Sequence, residues 1–124
     1  MQDKPKLNYF SMDVARDYGV DEAILHIHFA FWISKNRLNN KNNHDGFTWT
    51  YNTVERLSEY FTYYSVSQIG RITSSMVDQE LIIKANYNKM PYDRTLWYAL
   101  LDEEHWLKYY KPIERIAKWE SENR

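Results

Sequence analysis

The amino-acid sequence predicts an α+β fold that is mainly helical and carries one small β-hairpin. Three observations lead to this prediction. Apolar residues recur at helical spacing in several segments, residues 81–87 and 94–100 have strand-type composition, and a turn that contains Pro91 separates these two strands. Because a hairpin of this size is marginally stable alone, we expect it to pack on the helices before it.

The composition limits the classes of protein to which the chain can belong. Its 124 residues correspond to one domain, and the absence of cysteine excludes disulfides and thiolate zinc sites and fits a reducing compartment. No apolar run reaches the length of a membrane span, so we expect a cytoplasmic protein without a membrane partner. The three glycines disfavour a nucleotide-cradling loop.

The N-terminal part is predicted to contain two helices. Residues 1–10 are expected to form a flexible arm, residues 11–18 a short helix that ends at Gly19, and Asp21 the N-cap of a long helix over about 22–37. One face of the long helix is predicted to carry Ala23, Ile24, Ile27, Ala30, Phe31 and Ser34, widened by Phe29 and Ile33. Residues 39–46, which are rich in Asn, Asp and Gly, are predicted to form a loop.

The middle of the chain is predicted to contain a strand and two further helices. Residues 47–51 have strand-type composition and could add a third strand to the hairpin. Asn52 is the expected N-cap of a helix that reaches Tyr60, with Glu55 at the capping-box position. Ser65, followed three residues later by Gln68, predicts the start of the next helix. The apolar stripe of this helix is predicted to be Ile69, Ile72, Met76 and Val77.

Residues 101–124 are predicted to form a C-terminal helical extension. Asp102 is the expected cap of a helix within residues 101–110, and Pro112 is expected to open another over about 113–121. The extension either packs back on the domain or forms a dimer contact, and the sequence leaves both alternatives open.

The predicted order of elements is that of a winged helix-turn-helix, which we assign to residues 11–100. The helix that begins after Ser65 would then be the recognition helix, and the turn between the hairpin strands would be the wing. Arg and Gln can read base edges by paired hydrogen bonds, while Ser, Lys and Asn can contact phosphates or bases. The predicted DNA-contacting residues are Ser67, Gln68, Arg71, Ser74 and Ser75 on the helix and Lys84, Asn86, Asn88 and Lys89 on the wing, beside Tyr87 and Tyr92.

Other polar and aromatic residues of this region are predicted to be structural. Asp93 is expected to cap the turn, and Arg94 is expected to bind a carboxylate or a carbonyl. Trp49 and Trp97 are expected to be core or cross-strand residues. The alternative for each predicted DNA contact is a solvated helix face or an ordinary polar turn.

No pattern in the sequence predicts catalysis or a cofactor. His26 and His28 lie two residues apart on a helix, so their side chains point to different faces and cannot easily share a metal. No nucleophile motif, phosphate loop or separated carboxylate pair is present. We therefore expect a protein that is not an enzyme and has no metal or cofactor.

The charge is close to neutral, whereas a generic nucleic-acid binder is more basic. The formal net charge is −1, with a pI near 6.4. Residues 34–94 hold 8 basic and 6 acidic side chains, so the small basic excess lies in the predicted DNA-binding region. DNA affinity would therefore depend on the arrangement of charges and not on bulk charge.

Three motifs within residues 8–100 resemble a known family. They are the Trp-x-Tyr strand at residues 49–51, the helix start Ser-x-x-Gln-Ile-x-Arg at 65–71 and the strand Tyr-Asp-Arg-Thr-x-Trp-Tyr at 92–98, which is the most specific. Together they resemble the N-terminal winged-helix domain of phage replication-initiation proteins (replisome organisers), which is related to DnaD-like primosome proteins. The resemblance implies binding of origin or promoter DNA in the cytoplasm of a bacterial host, with host replication proteins as further partners.

Two hypotheses follow from the sequence. The first is a winged helix of a phage or mobile element that binds double-stranded DNA in replication initiation. The second is a protein-interaction module that reuses the winged helix to bind host replication or defence proteins, or to form a homodimer. The second is favoured by the net charge of −1, by the abundance of Tyr and Trp, and by Arg71 being the single basic residue of residues 67–80.

Overall fold

A computed structural model of the chain describes residues 6–111 and confirms the predicted α+β class. Within this range five α-helices pack with a small antiparallel sheet. The helices are α1 (Met12–Tyr18), α2 (Val20–Leu38), α3 (Val54–Tyr60), α4 (Val66–Asp78) and α5 (Glu103–Tyr109). The strands are β1 (Asn43–His44), β2 (Phe47–Thr48), β3 (Thr50–Asn52), β4 (Ile82–Ala85) and β5 (Leu96–Leu100).

Gly19 forms the junction between α1 and α2. The predicted α1 is confirmed: Ser11 caps it by accepting a hydrogen bond from the Val14 N–H, and Gly19 ends it. The predicted cap at Asp21 is wrong, because α2 already begins at Val20 with Gly19 at its N-cap position. Gly19 has φ +114°, a conformation that lets the chain leave one helix and enter the next within one residue. Asp21 instead accepts a hydrogen bond of 2.5 Å from the hydroxyl of Tyr64.

The larger sheet contains three antiparallel strands in the order β3-β5-β4. The third strand was predicted, and in this register Thr50 and Lys84 both lie opposite Tyr98. The continuous strand predicted for residues 47–51 is wrong at Trp49, whose buried ring separates β2 from β3 and donates a hydrogen bond of 2.9 Å to the His44 carbonyl. Strands β4 and β5 are also shorter than predicted.

The predicted loop 39–46 contains strand β1, which belongs to a second, two-stranded sheet. Strand β1 pairs with β2, and Asp45 and Gly46 connect them with φ +53° and +84°. Positive φ at both central residues is the requirement of a tight two-residue hairpin turn, which Asp-Gly satisfies well. This hairpin was not predicted.

The predicted cap of α3 is wrong, and the predicted cap of α4 is correct. Thr53, not Asn52, caps α3 by accepting a hydrogen bond from the Arg56 N–H, because Asn52 is still paired with Leu96 in the sheet. The capping box of α4 is confirmed, with Ser65 and Gln68 each accepting a hydrogen bond from the backbone N–H of the other.

The core lies where α2 and α4 face the sheet. The ring of Phe29 stacks on that of Tyr98 with centroids 4.6 Å apart, and both residues are buried. The predicted inward face of α2 is partly wrong, because Phe31 and Ser34 are only partly buried and do not belong to the core cluster, whereas Ile24 and Ile27 pack against it. The buried residues of α2 are Ala23, Leu25, His26, Phe29, Ala30 and Ile33. On α4 they are Ile69, Ile72, Thr73 and Met76, with Val77 packed beside them.

Helix α5 packs back on the domain, which is one of the two alternatives left open by the sequence. Trp106 and Tyr110 belong to the core, and the Tyr110 hydroxyl lies 2.7 Å from Nδ1 of His26. Asp102 occupies the predicted N-cap position of α5 but makes no side-chain capping hydrogen bond.

Two predictions fall wholly or partly outside residues 6–111. The helix predicted for about 113–121 lies outside the described residues, as do residues 1–5 of the predicted arm. Residues 6–10 contain neither helix nor strand. None of the helices described has both the length and the apolarity needed to cross a membrane.

Candidate nucleic-acid interface

The exposed side of α4 carries a stripe of polar residues. Because Ile69, Ile72 and Met76 are buried against the core, the opposite side of the helix faces outward. Ser67, Arg71 and Ser74 are spaced by four and three residues, so they lie on one side, and all three are exposed. None of their three side chains makes a hydrogen bond or an ion pair with the part of the chain that the structure describes. We call Ser67, Arg71 and Ser74 the α4 stripe.

Gln68 and Ser75, two predicted contact residues of α4, have partners within the domain. Oε1 of Gln68 accepts the Ser65 N–H at 2.8 Å, which leaves its Nε2 group available. The Ser75 hydroxyl donates to the Glu22 carboxylate at 2.6 Å and accepts a hydrogen bond of 3.1 Å from Gln79. Ser75 therefore joins α4 to α2 and does not extend the α4 stripe.

Asn88 braces the loop between β4 and β5, residues 86–95, which we call the β4–β5 loop. Its Nδ2 group donates to the carbonyls of Asp93 and Thr95 at 3.2 and 2.7 Å, and its Oδ1 accepts the indole N–H of Trp97 at 2.8 Å. Its backbone N–H donates to Oδ1 of Asn86 at 2.8 Å. The predicted contact residues Asn86 and Asn88 thus shape this loop from inside.

A turn at residues 90–93 forms the apex of the loop. The Asp93 N–H donates to the Met90 carbonyl at 3.1 Å, and Pro91 occupies the second position of the turn, which suits its restricted φ. Asp93 has the predicted capping role, since its Oδ1 accepts the Thr95 N–H at 2.9 Å. This backbone hydrogen bond holds the pKa of the Asp93 carboxyl below its usual value.

Packed aromatic rings support the base of the loop. The ring of Tyr87 stacks on that of His44 with centroids 4.4 Å apart, and it meets the rings of Trp97 and Trp49 edge-on at 5.4 and 5.2 Å. The Tyr87 hydroxyl donates to the carboxylate of Asp45, and this hydrogen bond raises the pKa of Tyr87 to about 12. The unpredicted β1–β2 hairpin therefore buttresses the β4–β5 loop, and Trp49 and Trp97 have the predicted structural roles.

The cations of α4 and the β4–β5 loop have no acidic partner among residues 6–111. The ion pairs among residues 6–111 join Arg16 to Asp13 and Asp17, and Arg37 to Glu103 and Glu104. Arg71, Lys89 and Arg94 are exposed and take part in none of them. Their charges therefore remain available to an anionic ligand.

The surroundings of Lys84 and Arg94 differ from those that the sequence suggested. Lys84 lies on β4 opposite Tyr98 and is half-buried, and burial lowers the pKa of its ammonium group. The predicted carboxylate or carbonyl partner of Arg94 is not found among residues 6–111. The Asp93 carboxylate beside it faces the Thr95 N–H instead. The sequence analysis did not include Arg94 among the predicted contact residues, although it is an exposed cation beside the Pro91 turn.

The groove between α1, α5 and the end of α4 has the opposite charge. It has a volume of 550 Å³, and its lining includes the carboxylates of Asp13, Asp17, Glu80 and Asp102 beside aromatic rings of α1 and α5. This charge disfavours phosphate. Neither the α4 stripe nor the β4–β5 loop contributes to the lining of this groove.

A search of the described residues found no group of three or more His, Cys, Asp or Glu side chains that could hold a metal ion. Comparisons with protein-family models, with curated proteins and with solved structures found no match for this chain.

Proposed function

We propose that the chain is a winged helix-turn-helix that binds double-stranded DNA. Helices α3 and α4 form the helix-turn-helix, the α4 stripe enters the major groove, and the β4–β5 loop is the wing. In this arrangement Arg71 reads a base edge, with Ser67 and Ser74 beside it. Lys89, Arg94 and Lys84 contact phosphates. The resemblance of residues 8–100 to phage replication-initiation proteins suggests an origin of a phage or mobile element as the target.

The observation that carries the proposal is the set of cations without acidic partners on these two elements. Arg16 and Arg37 pair with carboxylates. Arg71, Lys89 and Arg94, like Arg56 of α3, form no ion pair within residues 6–111, although the net charge of the chain is −1. Unpaired cations beside an exposed polar helix face suit a phosphate backbone together with base edges.

The proposal is tested by fluorescence anisotropy with duplex DNA at several salt concentrations, after selection of a preferred site from random sequences. Log K should fall linearly with log salt, with a slope of about −0.9 for each phosphate contacted. Absence of binding to any duplex at low salt would overturn the proposal.

Arg71→Ala and Arg16→Ala form a matched pair for this measurement. Loss of Arg71 should weaken binding to the selected site by about 1–3 kcal/mol if it reads a guanine, and should relax specificity at one position. Arg16→Ala removes the same charge from α1 and should change affinity little. Equal effects of the two substitutions would remove Arg71 from the reading role.

Lys89→Ala separates phosphate contact from base reading. It should weaken binding about equally for all sequences and should reduce the salt slope by about 1. An unchanged slope would exclude Lys89 as a phosphate contact.

A protein-interaction module remains the second candidate, and a group of exposed apolar side chains favours it. Leu7, Tyr9 and Met12 are 66%, 54% and 84% exposed, and Tyr60 and Tyr63 are 59% and 53% exposed. Asn8 donates a hydrogen bond of 2.8 Å to the Tyr63 hydroxyl, which brings these groups together. Exposed apolar surface of this kind is typical of interaction sites.

The two candidates predict different behaviour. A self-association surface predicts a dimer in sedimentation analysis, and Tyr63→Ser should dissociate this dimer. It also predicts that the chain shows no salt-dependent binding to DNA and therefore none that depends on Arg71. A monomer at all accessible concentrations would remove the homodimer version.

A further inference from the structure

The apex of the β4–β5 loop presents apolar groups to solvent. Met90 is 49% exposed and Tyr92 is 76% exposed, and exposed Pro91 lies between them. Tyr92 makes no ring contact or hydrogen bond with any residue of the described range. Most of the Tyr92 side chain is therefore exposed to solvent at the apex of the turn.

The apex is also held in place before any ligand binds. The Asp93 N–H closes the turn on the Met90 carbonyl at 3.1 Å, and Asn88 bonds both Asp93 and Thr95 from below. Trp97 in turn donates to Asn88 at 2.8 Å from the sheet. An aromatic ring on a braced turn loses little conformational entropy when it meets a ligand.

Charges on both sides of the apex indicate the chemistry of that ligand. Lys89 precedes the exposed residues and Arg94 follows them, and neither is paired with a carboxylate within residues 6–111. A purely apolar partner would not use these cations, whereas a simple anion would not use the ring. A nucleotide has both features, since it offers a phosphate and the π-face of a base.

We infer that the apex of the wing is a base-stacking wedge. Tyr92 stacks on a base at a step that is locally opened, Met90 and Pro91 fill the gap left in the stack, and Lys89 and Arg94 hold the adjacent phosphates. Apolar side chains inserted between base steps unstack them and kink the duplex. The preferred ligand of the domain is therefore DNA that already contains unpaired bases. The inference rests on the proposed DNA-binding function.

The test compares a duplex that carries the selected site with the same duplex containing a few mismatched pairs beside the site. A 2-aminopurine in the mismatched segment reports stacking by fluorescence. The wild-type chain should bind the mismatched duplex more tightly and should quench the 2-aminopurine, because a base that is already unpaired need not be unstacked by the protein.

Three variants isolate the ring of Tyr92. Tyr92→Ala should weaken binding to the mismatched duplex by about 5- to 100-fold and abolish the quenching, which corresponds to the loss of one stacked base. Tyr92→Phe keeps the ring and should retain both signals. Tyr9→Ala removes a similarly exposed tyrosine of the N-terminal arm and should change neither.

The outcomes separate this inference from the function on which it rests. If Tyr92→Ala binds the mismatched duplex as the wild type does while salt-dependent duplex binding persists, the wedge is wrong and the winged-helix proposal stands. Equal affinity of the wild type for both DNAs without quenching also overturns the wedge. If the wild type binds neither DNA at low salt, both proposals fail.

Discussion

Gly19 has a backbone conformation that other residues adopt only at a cost. Its φ and ψ are +114° and +148°, and a Cβ at this position would come within 2.3 Å of Oε1 of Glu22. Gly70, in the interior of α4, presents the opposite case, since nothing lies within 4 Å of a Cβ there. The two glycines thus differ in whether the fold requires them.

We therefore expect Gly19→Ala and Gly70→Ala to change stability in opposite directions. Gly19→Ala should lower the free energy of unfolding by about 1–3 kcal/mol, because it forces alanine into a strained conformation. Gly70→Ala should raise it by about 0.5–1 kcal/mol, because alanine favours a helix interior. Urea unfolding followed by circular dichroism measures both. A stabilised Gly19→Ala variant would contradict the description of this junction.

His26 and His28 are titratable residues held in an apolar environment. Burial lowers the pKa of His26 to about 3 and that of His28 to about 4, both from 6.5. His28 is surrounded by the rings of Tyr60 and Phe61, at 4.8 and 5.0 Å. Both histidines are therefore neutral in the folded domain at neutral pH.

Acid should destabilise the domain well above the range in which its carboxylates titrate. Below pH 6.5 the unfolded chain binds protons at these two histidines, while the folded chain does not until about pH 4 and below. Stability is therefore complete above pH 6.5 and is lost as the pH falls, by about 1.4 kcal/mol per pH unit for each histidine. His28→Phe should roughly halve the slope between about pH 6 and pH 5 in urea unfolding. An unchanged slope would show that His28 does not contribute.

At the scale of elements, α4 has a start that is defined by its own sequence. Ser65 and Gln68 complete a capping box, whereas the side chain of Ser67, two residues after the cap, is exposed and makes no hydrogen bond with any described residue. Substitution of Ser65 therefore tests the stability of α4, and substitution of Ser67 tests its exposed surface.

Ser65→Ala should lower stability, whereas Ser67→Ala should affect DNA binding and leave stability nearly unchanged. Ser65→Ala should lower the free energy of unfolding by about 1 kcal/mol, because it leaves an N–H at the helix start without its acceptor. Ser67→Ala should leave stability within about 0.5 kcal/mol and should weaken DNA binding if the α4 stripe enters a groove. Thermal melts and anisotropy on both variants give the four values. A Ser67 variant with unchanged affinity would remove that residue from the proposed interface.

The elements that were predicted correctly are encoded by neighbouring residues, and most of those that were missed depend on distant contacts. The local hairpin of β1 and β2 is an exception. The cap of α4 and the Asp93 turn depend on residues within a few positions of each other. The break at Trp49 depends on pairing of β3 with β5, and the face of α2 depends on Tyr98, nearly 70 residues away. The sequence likewise could not predict that the side chain of Asn88 would form hydrogen bonds with Thr95 and Trp97 across the β4–β5 loop. The positions of the charged residues could be read from the sequence, but the residues with which they pair could not.

At the scale of the whole molecule, the two ends of the described chain close the core. Trp106 of α5 lies 4.4 Å from the ring of His26, and edge-on at 6.3 Å from that of Tyr18. Tyr110 bonds His26 at 2.7 Å. Deletion of residues 101–124 would remove both core aromatics, so a change in oligomeric state after that deletion would reflect loss of the core as well as loss of any dimer contact.

Trp106→Ala and His105→Ala provide a sharper test of the role of α5. The Trp106 side chain is 9% exposed, and its removal should lower the free energy of unfolding by about 3–5 kcal/mol, because a large cavity is left between α1, α2 and α5. His105 is exposed on the same helix, and its replacement should change stability by about 0.5 kcal/mol or less. Urea unfolding measures the difference, and equal midpoints would contradict the packing of α5. Because the proposed interface lies on α4 and the β4–β5 loop, the folded fraction of Trp106→Ala should still bind duplex DNA with the affinity of the wild type.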